Sequence, residues 1–135
     1  MANKTYFEPI KPEIIEKKIT MAQNYSRLLE NIPGLTLPYE APWARNIYWL
    51  YTVLFDENKL KFQRDEMIRK LKENKIDARP VFIPMHQQPI YKNRKKYPVA
   101  NRVSRQGLSL PSYVNINVVD QARVSETIRT IILAQ

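Results

Sequence analysis

The chain contains only two glycines, and this scarcity limits the folds and binding loops that it can form. Glycine-rich turns that cradle phosphates need several glycines close together, so P-loops and dinucleotide-binding fingerprints are excluded. The two glycines stand in similar contexts, "PGLTLP" at 33–38 and "QGLSLP" at 106–111. In each, the glycine follows a predicted helix and precedes a short predicted strand that ends in proline.

Hydrophobic periodicity and these breaks predict helices and strands in the order α-β-β-α-β-α-β-α. The strands are predicted at 35–38, 46–55, 76–83 and 108–111, and 84–97 is predicted to be irregular. The elements do not alternate regularly, as they would in a doubly wound sheet. We therefore predict a single α+β domain over residues 1–135, with a small antiparallel or mixed sheet covered by helices on one face.

Charge is unevenly placed in this chain of net charge +9. The stretch between Asp77 and Asp120 contains no acid, and its basic residues are Arg79, Lys92, Arg94, Lys95, Lys96, Arg102 and Arg105. Such a field attracts phosphates of a nucleic acid, a nucleotide or a phosphorylated cofactor, although a solvated surface is an equal alternative. No segment has the composition of a signal peptide or a membrane span, so we expect a cytoplasmic protein with no membrane partner.

The only histidine, His86, lies in the proline-rich stretch "ARPVFIPMHQQPIYK" at 78–92. A metal site needs several matched ligands, and the chain has no cysteine and no second histidine. A serine–histidine–acid triad lacks the glycines of a nucleophile elbow. We therefore predict no metal ligand and no serine–histidine–acid triad. His86 then either has a structural hydrogen bond within the loop or is presented to a ligand.

Several stretches together carry a family resemblance that extends over residues 13–133. They are "MAQNYSRLLENIPGLTLPYE", "NIYWLYTVLFDE", "RDEMIRKLKENKIDARPVFIPMHQQPIYK" and "YPVANRVSRQGLSLPSY", followed by the closing helix. In this order they resemble the C-terminal small domain of the DegT/StrS sugar aminotransferases, which are pyridoxal-phosphate enzymes of fold type I. The "YWLY" and "PMHQQPIYK" segments look most like the GDP-perosamine synthase branch. Those enzymes transfer an amino group from glutamate to the 4-keto carbon of GDP-4-keto-6-deoxymannose.

The resemblance implies that the large cofactor-binding domain of such enzymes is absent here. The family's catalytic lysine lies in that domain near a glycine-rich stretch, which this sequence lacks. We therefore expect a fragment, split product or truncated relative that contains no catalytic residue, is inactive alone and binds no pyridoxal 5'-phosphate by itself. Its implied partners are a large cofactor-binding domain or chain, a nucleotide-sugar substrate and, as in the full-length family, a second copy in a homodimer.

The resemblance also suggests three substrate-binding residues on the proline-rich segment. His86 would contact the sugar, Arg79 would face a negative charge of the substrate or cofactor, and Tyr91 would line the same opening. An ion pair with Asp77 or Glu73 is the alternative for Arg79, and simple packing is the alternative for Tyr91. We assign Trp43 and Trp49 to the core or to a domain interface, and we expect an exposed apolar patch near the first helix.

Two other functions remain open at this stage. The chain could be a non-catalytic binding or regulatory module that has kept the fold. It could also be a basic nucleic-acid-binding domain, because Tyr91 and Tyr97 flank the basic run and could stack on bases. We do not expect a nucleic-acid partner if the resemblance identifies the fold.

Overall fold

The computed structural model describes residues 10–91 and 95–134 of the chain. Lys92 and Arg94 of the predicted basic stretch lie outside them. The elements in chain order are α1 (Pro12–Leu29), β1 (Leu35–Thr36), β2 (Tyr51–Phe55), α2 (Arg64–Glu73), β3 (Arg79–Pro80), 3₁₀ turns at Met85–Gln87 and Pro89–Tyr91, α3 (Pro98–Gln106), β4 (Gly107–Leu110) and α4 (Val118–Leu133).

The strands form one sheet in the order β1-β2-β4-β3, and every neighbouring pair is antiparallel. The central pair aligns Thr52 with Ser109 and Val53 with Leu108. The predicted α+β class with a small sheet is confirmed, and the sheet is antiparallel rather than mixed.

The hydrophobic core lies on one face of this sheet. Alternate residues of β2 and β4 point into it, because successive side chains of a strand face opposite sides. Helices α1, α2 and α4 supply the rest of the core, and its largest fully buried members include Tyr25, Tyr51, Phe55, Met67, Leu108 and Ile128. The predicted covering of one face by helices is therefore confirmed.

Polar side chains connect the two longest helices. The buried amide of Gln121 in α4 accepts a hydrogen bond from Asn24 of α1 and donates one to the carbonyl of Met21. Helix α4 starts after Asn117, whose side-chain oxygen accepts from the backbone N–H of Asp120 at 2.7 Å. This cap satisfies one of the free donors at the helix N-terminus and fixes where α4 begins.

The prediction of a strand over 46–55 is wrong for its first half, since β2 begins at Tyr51. The side chain of Asn46 accepts from the backbone N–H of Tyr48, and Tyr48 has a φ of 46°. A local side-chain bond of this kind favours a turn over an extended ladder. The turned backbone leaves Ile47 and Trp49 exposed.

The predicted strand over 76–83 is also shorter, with only Arg79–Pro80 in β3. Proline cannot donate a ladder hydrogen bond, and Pro80 and Pro84 both lie in this stretch. Val81 still donates to the carbonyl of Gly107, which brings the two backbones close together. A Cβ at Gly107 would collide with the Val81 side chain and the Val103 carbonyl, so only glycine fits there.

Candidate binding cleft

A cleft of about 1510 Å³ lies beside the start of α1, the segment before β2 and the edge strand β3. Its walls include Ile14, Trp49 and Phe82. The rings of Trp49 and Phe82 are stacked, with centroids 6.4 Å apart and planes 19° from parallel. Each of these two side chains is 69% exposed, so the pair forms an apolar platform that no described residue covers.

Lys18 of α1 extends to the wall of this cleft and is only 8% exposed. Its Nζ donates to the backbone carbonyl of Trp49 at 2.9 Å and to that of Ser112. The Ser112 hydroxyl accepts from the backbone N–H of Tyr51. The ammonium therefore holds together the start of β2 and the chain after β4. Burial lowers the pKa of Lys18, because desolvation disfavours the charged amine.

Polar side chains cross the sheet on the face opposite the core. The register places Thr52, Ser109 and Arg79 side by side on β2, β4 and β3, and all three line the cleft. The hydroxyls of Thr52 and Ser109 lie 3.0 Å apart. Arg79 donates to Asp77 at 3.0 Å, with both side chains largely exposed. The ion-pair alternative for Arg79 is therefore realised with Asp77, and an exposed pair of this kind contributes at most about 1 kcal/mol.

His86 lies in the first 3₁₀ turn, where it is half-buried. Its Nε2 is 2.7 Å from Oδ1 of Asn101 in α3, and that oxygen also accepts from Gln87. The imidazole packs on Tyr97 with ring centroids 4.5 Å apart. Because the amide oxygen of Asn101 can only accept, Nε2 is the donor in this contact. These contacts fix the ring against the start of α3.

The three predicted site residues do not line one common cleft. Arg79 lines the large cleft, whereas His86 lines neither it nor a second cleft of about 740 Å³ between residues 81–85 and α3. Tyr91 ends the second 3₁₀ turn and is 53% exposed. Trp43 and Trp49 are 88% and 69% exposed, so their assignment to the core of this domain is wrong. Their assignment to an interface stays a prediction.

Lys18 was missed as a candidate, although its position in the sequence carries a signal. It follows Ile15 by three residues and precedes Ala22 by four, so it lies on the apolar face of α1. A lysine at such a position either interrupts the apolar face of the helix or is buried there as a cation. The partners that decide between these possibilities lie 31 and 94 residues away along the chain.

The sequence profile of the DegT/DnrJ/EryC1/StrS aminotransferase family matches residues 11–129, which is most of the chain. The chain belongs to this family. The DegT/DnrJ/EryC1/StrS proteins are pyridoxal-phosphate-dependent aminotransferases, and those similar to this chain include enzymes of sugar and polysaccharide biosynthesis.

Two relatives illustrate the match within the DegT/DnrJ/EryC1/StrS family. The GDP-perosamine synthase of Caulobacter vibrioides is 35% identical over 92 residues, which are 67% of this chain and 24% of that protein. The spore coat polysaccharide biosynthesis protein SpsC of Bacillus subtilis is 32% identical over 123 residues, 87% of this chain and 32% of that protein. The chain thus spans about a third or less of the length of these relatives.

Solved aminotransferase structures share the fold. DesV of S. venezuelae superimposes with a TM-score of 0.77 at 27% identity, covering 87% of this chain and 31% of DesV. The aminotransferase TlmJ of Streptoalloteichus hindustanus gives 0.78 at 24% identity, covering 89% of this chain and 32% of TlmJ. The open antiparallel sheet with its helices is therefore an arrangement found within family enzymes.

The described residues do not fit covalent attachment of the family's cofactor. Lys18 is the only buried lysine among them. Its amine donates to two backbone carbonyls, one just before β2 and one just after β4. A lysine that forms a Schiff base must instead be free to attack the cofactor. Within residues 10–91 and 95–134 there is no cluster of three or more side chains that could hold a metal ion. No helix in the same part of the chain is long and apolar enough to cross a membrane.

Proposed function

We propose that this chain acts as the small, substrate-facing domain of a pyridoxal-phosphate-dependent nucleotide-sugar aminotransferase. The complete enzyme would transfer an amino group from glutamate to the 4-keto carbon of GDP-4-keto-6-deoxymannose, as in GDP-perosamine synthesis. The cofactor supplies the amino-transfer chemistry, and it would be held by a cofactor-binding region outside the described residues. Several GDP-perosamine synthases among the relatives, at 25% to 35% identity, support this choice of substrate.

The observation that carries the proposal is a continuous exposed apolar surface. The large and small clefts share Val81 and Phe82, so their walls form one surface from the start of α1 to the start of α3. Its exposed members include Ile10, Trp49, Phe82, Ile83, Met85 and Val99, each more than half exposed. The exposed patch expected near the first helix is therefore present.

Soluble monomers rarely leave such large apolar patches open to water. A chain that matches only about a third of its relatives has an obvious occupant for this surface, namely the region that makes up the rest of those enzymes. The proposed partners are therefore a cofactor-binding region, in the same or a separate chain, and a second copy of the resulting unit.

The three predicted residues keep proposed roles at the edge of this surface. Arg79 already carries its guanidinium to the cleft, where it could exchange Asp77 for a phosphate or carboxylate. Only Nε2 of His86 is engaged by Asn101, so Nδ1 could form a hydrogen bond with a sugar hydroxyl, which can donate or accept. Tyr91 lies five residues further along the same proline-stiffened loop. A ligand or partner would have to bridge the loop and the cleft for all three to act together.

Complementation tests the proposal directly. The chain is mixed with the part of a GDP-perosamine synthase that it does not match, supplied with pyridoxal phosphate, glutamate and GDP-4-keto-6-deoxymannose. We expect neither component alone to form the 4-amino sugar and the mixture to form it, as followed by mass spectrometry. His86→Ala and Arg79→Gln should lower kcat/KM, whereas Arg105→Gln, at an exposed arginine paired with Glu57 outside the cleft, should not.

The outcomes separate the alternatives. Tight association without amino transfer would favour a non-catalytic module that has kept the fold. Absence of any association would contradict the domain proposal itself. Amino transfer with a dTDP-linked 4-keto sugar but not with the GDP-linked one would retain the enzyme class and correct the nucleotide.

The chain alone should not bind pyridoxal phosphate covalently. The reason is that the buried lysine amine is engaged by carbonyls and the other described lysines lie on the surface. Borohydride reduction after mixing, followed by peptide mass spectrometry, measures this. Stoichiometric labelling of one specific lysine would contradict the prediction, whereas scattered low labelling of several exposed lysines would agree with it.

A further inference from the structure

Lys18 is a nearly buried cation for which the described residues provide no counter-charge. Its two hydrogen bonds go to neutral backbone carbonyls, and no described carboxylate lies within ion-pair distance of Nζ. The cause of its lowered pKa is burial alone, without a contribution from a nearby acid. Buried charges in proteins are normally paired, because leaving water without compensation is costly.

The acids that line the same cleft are already engaged. Asp77 pairs with Arg79, and Asp120 accepts hydrogen bonds from Asn117 and Tyr113. The charged groups facing the cleft are Lys18, Lys75, Arg79 and Arg123 against Asp77 and Asp120. The cleft therefore has an excess of positive charge in a largely apolar setting.

The number of N–H donors on Lys18 leaves capacity for one further acceptor. An ammonium has three N–H donors, and two of them serve the carbonyls of Trp49 and Ser112. Lys18 lines the cleft, and it holds the backbone of the residue whose ring forms the apolar platform with Phe82. A charged acceptor and an apolar body can thus be accommodated beside each other.

We propose that this cleft binds a small ligand with an oxyanion, a carboxylate or a phosphate, which accepts a hydrogen bond from the Lys18 ammonium. The apolar body of the ligand lies against the stacked rings of Trp49 and Phe82. Apolar walls with a few polar groups that fix orientation are typical of small-molecule sites. The proposal concerns the chain alone, in which Trp49 and Phe82 are exposed, and it does not depend on the proposed transaminase function. The ligand and the proposed cofactor-binding region would compete for these two rings.

The test uses the full chain labelled with ¹³C at lysine Cε, so that NMR follows each lysine separately. Three probes are titrated: inorganic phosphate, phenyl phosphate and benzoate. We expect the Lys18 signal to shift saturably with at least one probe and its pKa to rise, because a bound anion favours the ammonium. Binding should weaken as the pH rises through the Lys18 pKa, since the neutral amine attracts no anion.

Matched variants identify the residue that carries the binding. Lys18→Met keeps the apolar stem and should lower the affinity for the bound probe roughly tenfold or more, as expected for a lost hydrogen bond to a charged group. Lys17→Met removes an adjacent lysine that is exposed and bonds Asn115, and it should leave the affinity unchanged. If Lys18→Met does not fold, the response of the Lys18 signal in the wild-type chain still decides the question.

The probes also separate the sources of the oxyanion. Binding of both phosphates without benzoate indicates a phosphate site, and binding of benzoate alone indicates a carboxylate site. Phenyl phosphate should bind more tightly than inorganic phosphate, and equal affinities would refute the role of the aromatic platform. A Lys18 signal that no probe moves at tens of millimolar would overturn the proposal.

Discussion

The two faces of the central strand pair have opposite environments although they are built from alternating residues of the same strands. On the helix-covered face, Tyr51, Val53 and Leu108 are completely buried. On the opposite face, Thr52 and Ser109 bond each other beside a cleft whose aromatic platform is mostly exposed. The first face is completed by this chain itself. The second presents apolar and cationic groups that nothing in the described chain completes, which is how a binding surface differs from a core.

Truncating one apolar side chain on each face should have very different effects on the free energy of unfolding. Leu108→Ala should lower the free energy of unfolding by about 2–5 kcal/mol, because it opens a cavity in the core. Phe82→Ala removes a larger side chain that is 69% exposed and should cost less than about 1 kcal/mol. Urea unfolding followed by circular dichroism measures both. Equal losses would show that the aromatic platform belongs to the core.

A second test concerns Arg64, which joins α2 to the junction of α3 and β4. This residue begins α2 and is mostly buried, and its Nη1 donates to the carbonyls of Ser104 and Gly107, each at 3.0 Å. Arg64→Met leaves both acceptors without their charged donor, so we expect a loss of about 1.5–3 kcal/mol in unfolding free energy. Arg69→Met is the matched control, because Arg69 forms only exposed pairs within α2 and should cost about 0.5 kcal/mol or less.

A smaller effect of Arg64→Met than of Arg69→Met would mean that the junction of α3 and β4 is not held from α2. If the junction is held, the variant should also loosen the second cleft. Hydrogen exchange of the amides in α3 should then rise in Arg64→Met and remain unchanged in Arg69→Met.

The sequence predicts the helix-covered face of the sheet, the core face, better than the opposite face, the cleft face. The spacing of Ala22, Tyr25 and Leu29 placed them on one helix face, and all three are buried. The core face is predictable because the burial of each position repeats with the period of its own helix or strand. The family motifs gave the same fold, and the comparisons agree with it.

The cleft face was less predictable, because its contacts join distant parts of the chain. Aromatic and β-branched residues made 46–50 resemble a strand, yet the Asn46 side chain and the left-handed Tyr48 turn the backbone there. Propensity cannot show whether a neighbouring strand is available to pair with such a segment. Likewise, the bond between His86 and Asn101 and the burial of Lys18 follow from how α3 and α1 pack.

Titration gives a third test, since the buried face contains tyrosines. Burial raises the pKa of Tyr25, with smaller contributions from Tyr113, Asp120 and Tyr51, and burial also raises the pKa of Tyr51. The folded chain therefore keeps these hydroxyls protonated where the unfolded chain ionises them. Their contribution to stability is complete below the ordinary value of about 10 and is lost as the pH rises above it. Each such tyrosine contributes a fall of about 1.4 kcal/mol per pH unit.

Lys18 acts in the opposite direction on the cleft side. Because the pKa of Lys18 is lowered in the folded chain, the unfolded chain binds more protons at this residue than the folded chain does. Lys18 therefore makes stability rise with pH up to the ordinary value of 10.5 and not beyond. Urea unfolding at a series of alkaline pH values should thus show stability begin to fall above about pH 10 and fall more steeply above about pH 10.5, where Lys18 no longer opposes the loss. Tyr25→Phe should make that fall shallower, and Tyr39→Phe, at an exposed side chain, is the control. An unchanged slope in Tyr25→Phe would contradict this assignment.

The smallest expected change in stability concerns an unsatisfied buried hydroxyl on the core face. Ser125 of α4 is 2% exposed, and its hydroxyl has no hydrogen-bond partner among the described residues. Ser125→Ala removes this unsatisfied group and replaces serine with a better helix former, at little cost in packing. We expect the free energy of unfolding to rise by about 0.5–1 kcal/mol, as measured by urea unfolding at neutral pH.

Ser26→Ala provides the matched control, because it makes the same replacement in α1 at a hydroxyl that lies 2.9 Å from that of Tyr51. The gain in helix propensity is the same, but the buried Tyr51 loses its partner, so stability should fall by about 0.5–1 kcal/mol. Changes of opposite sign in the free energy of unfolding for the two serine variants would show that the core face tolerates polar groups only when they are hydrogen-bonded. A destabilised Ser125→Ala would instead indicate that this hydroxyl has a partner, such as a buried water. The core face would then resemble the cleft face in depending on a group from outside the protein chain.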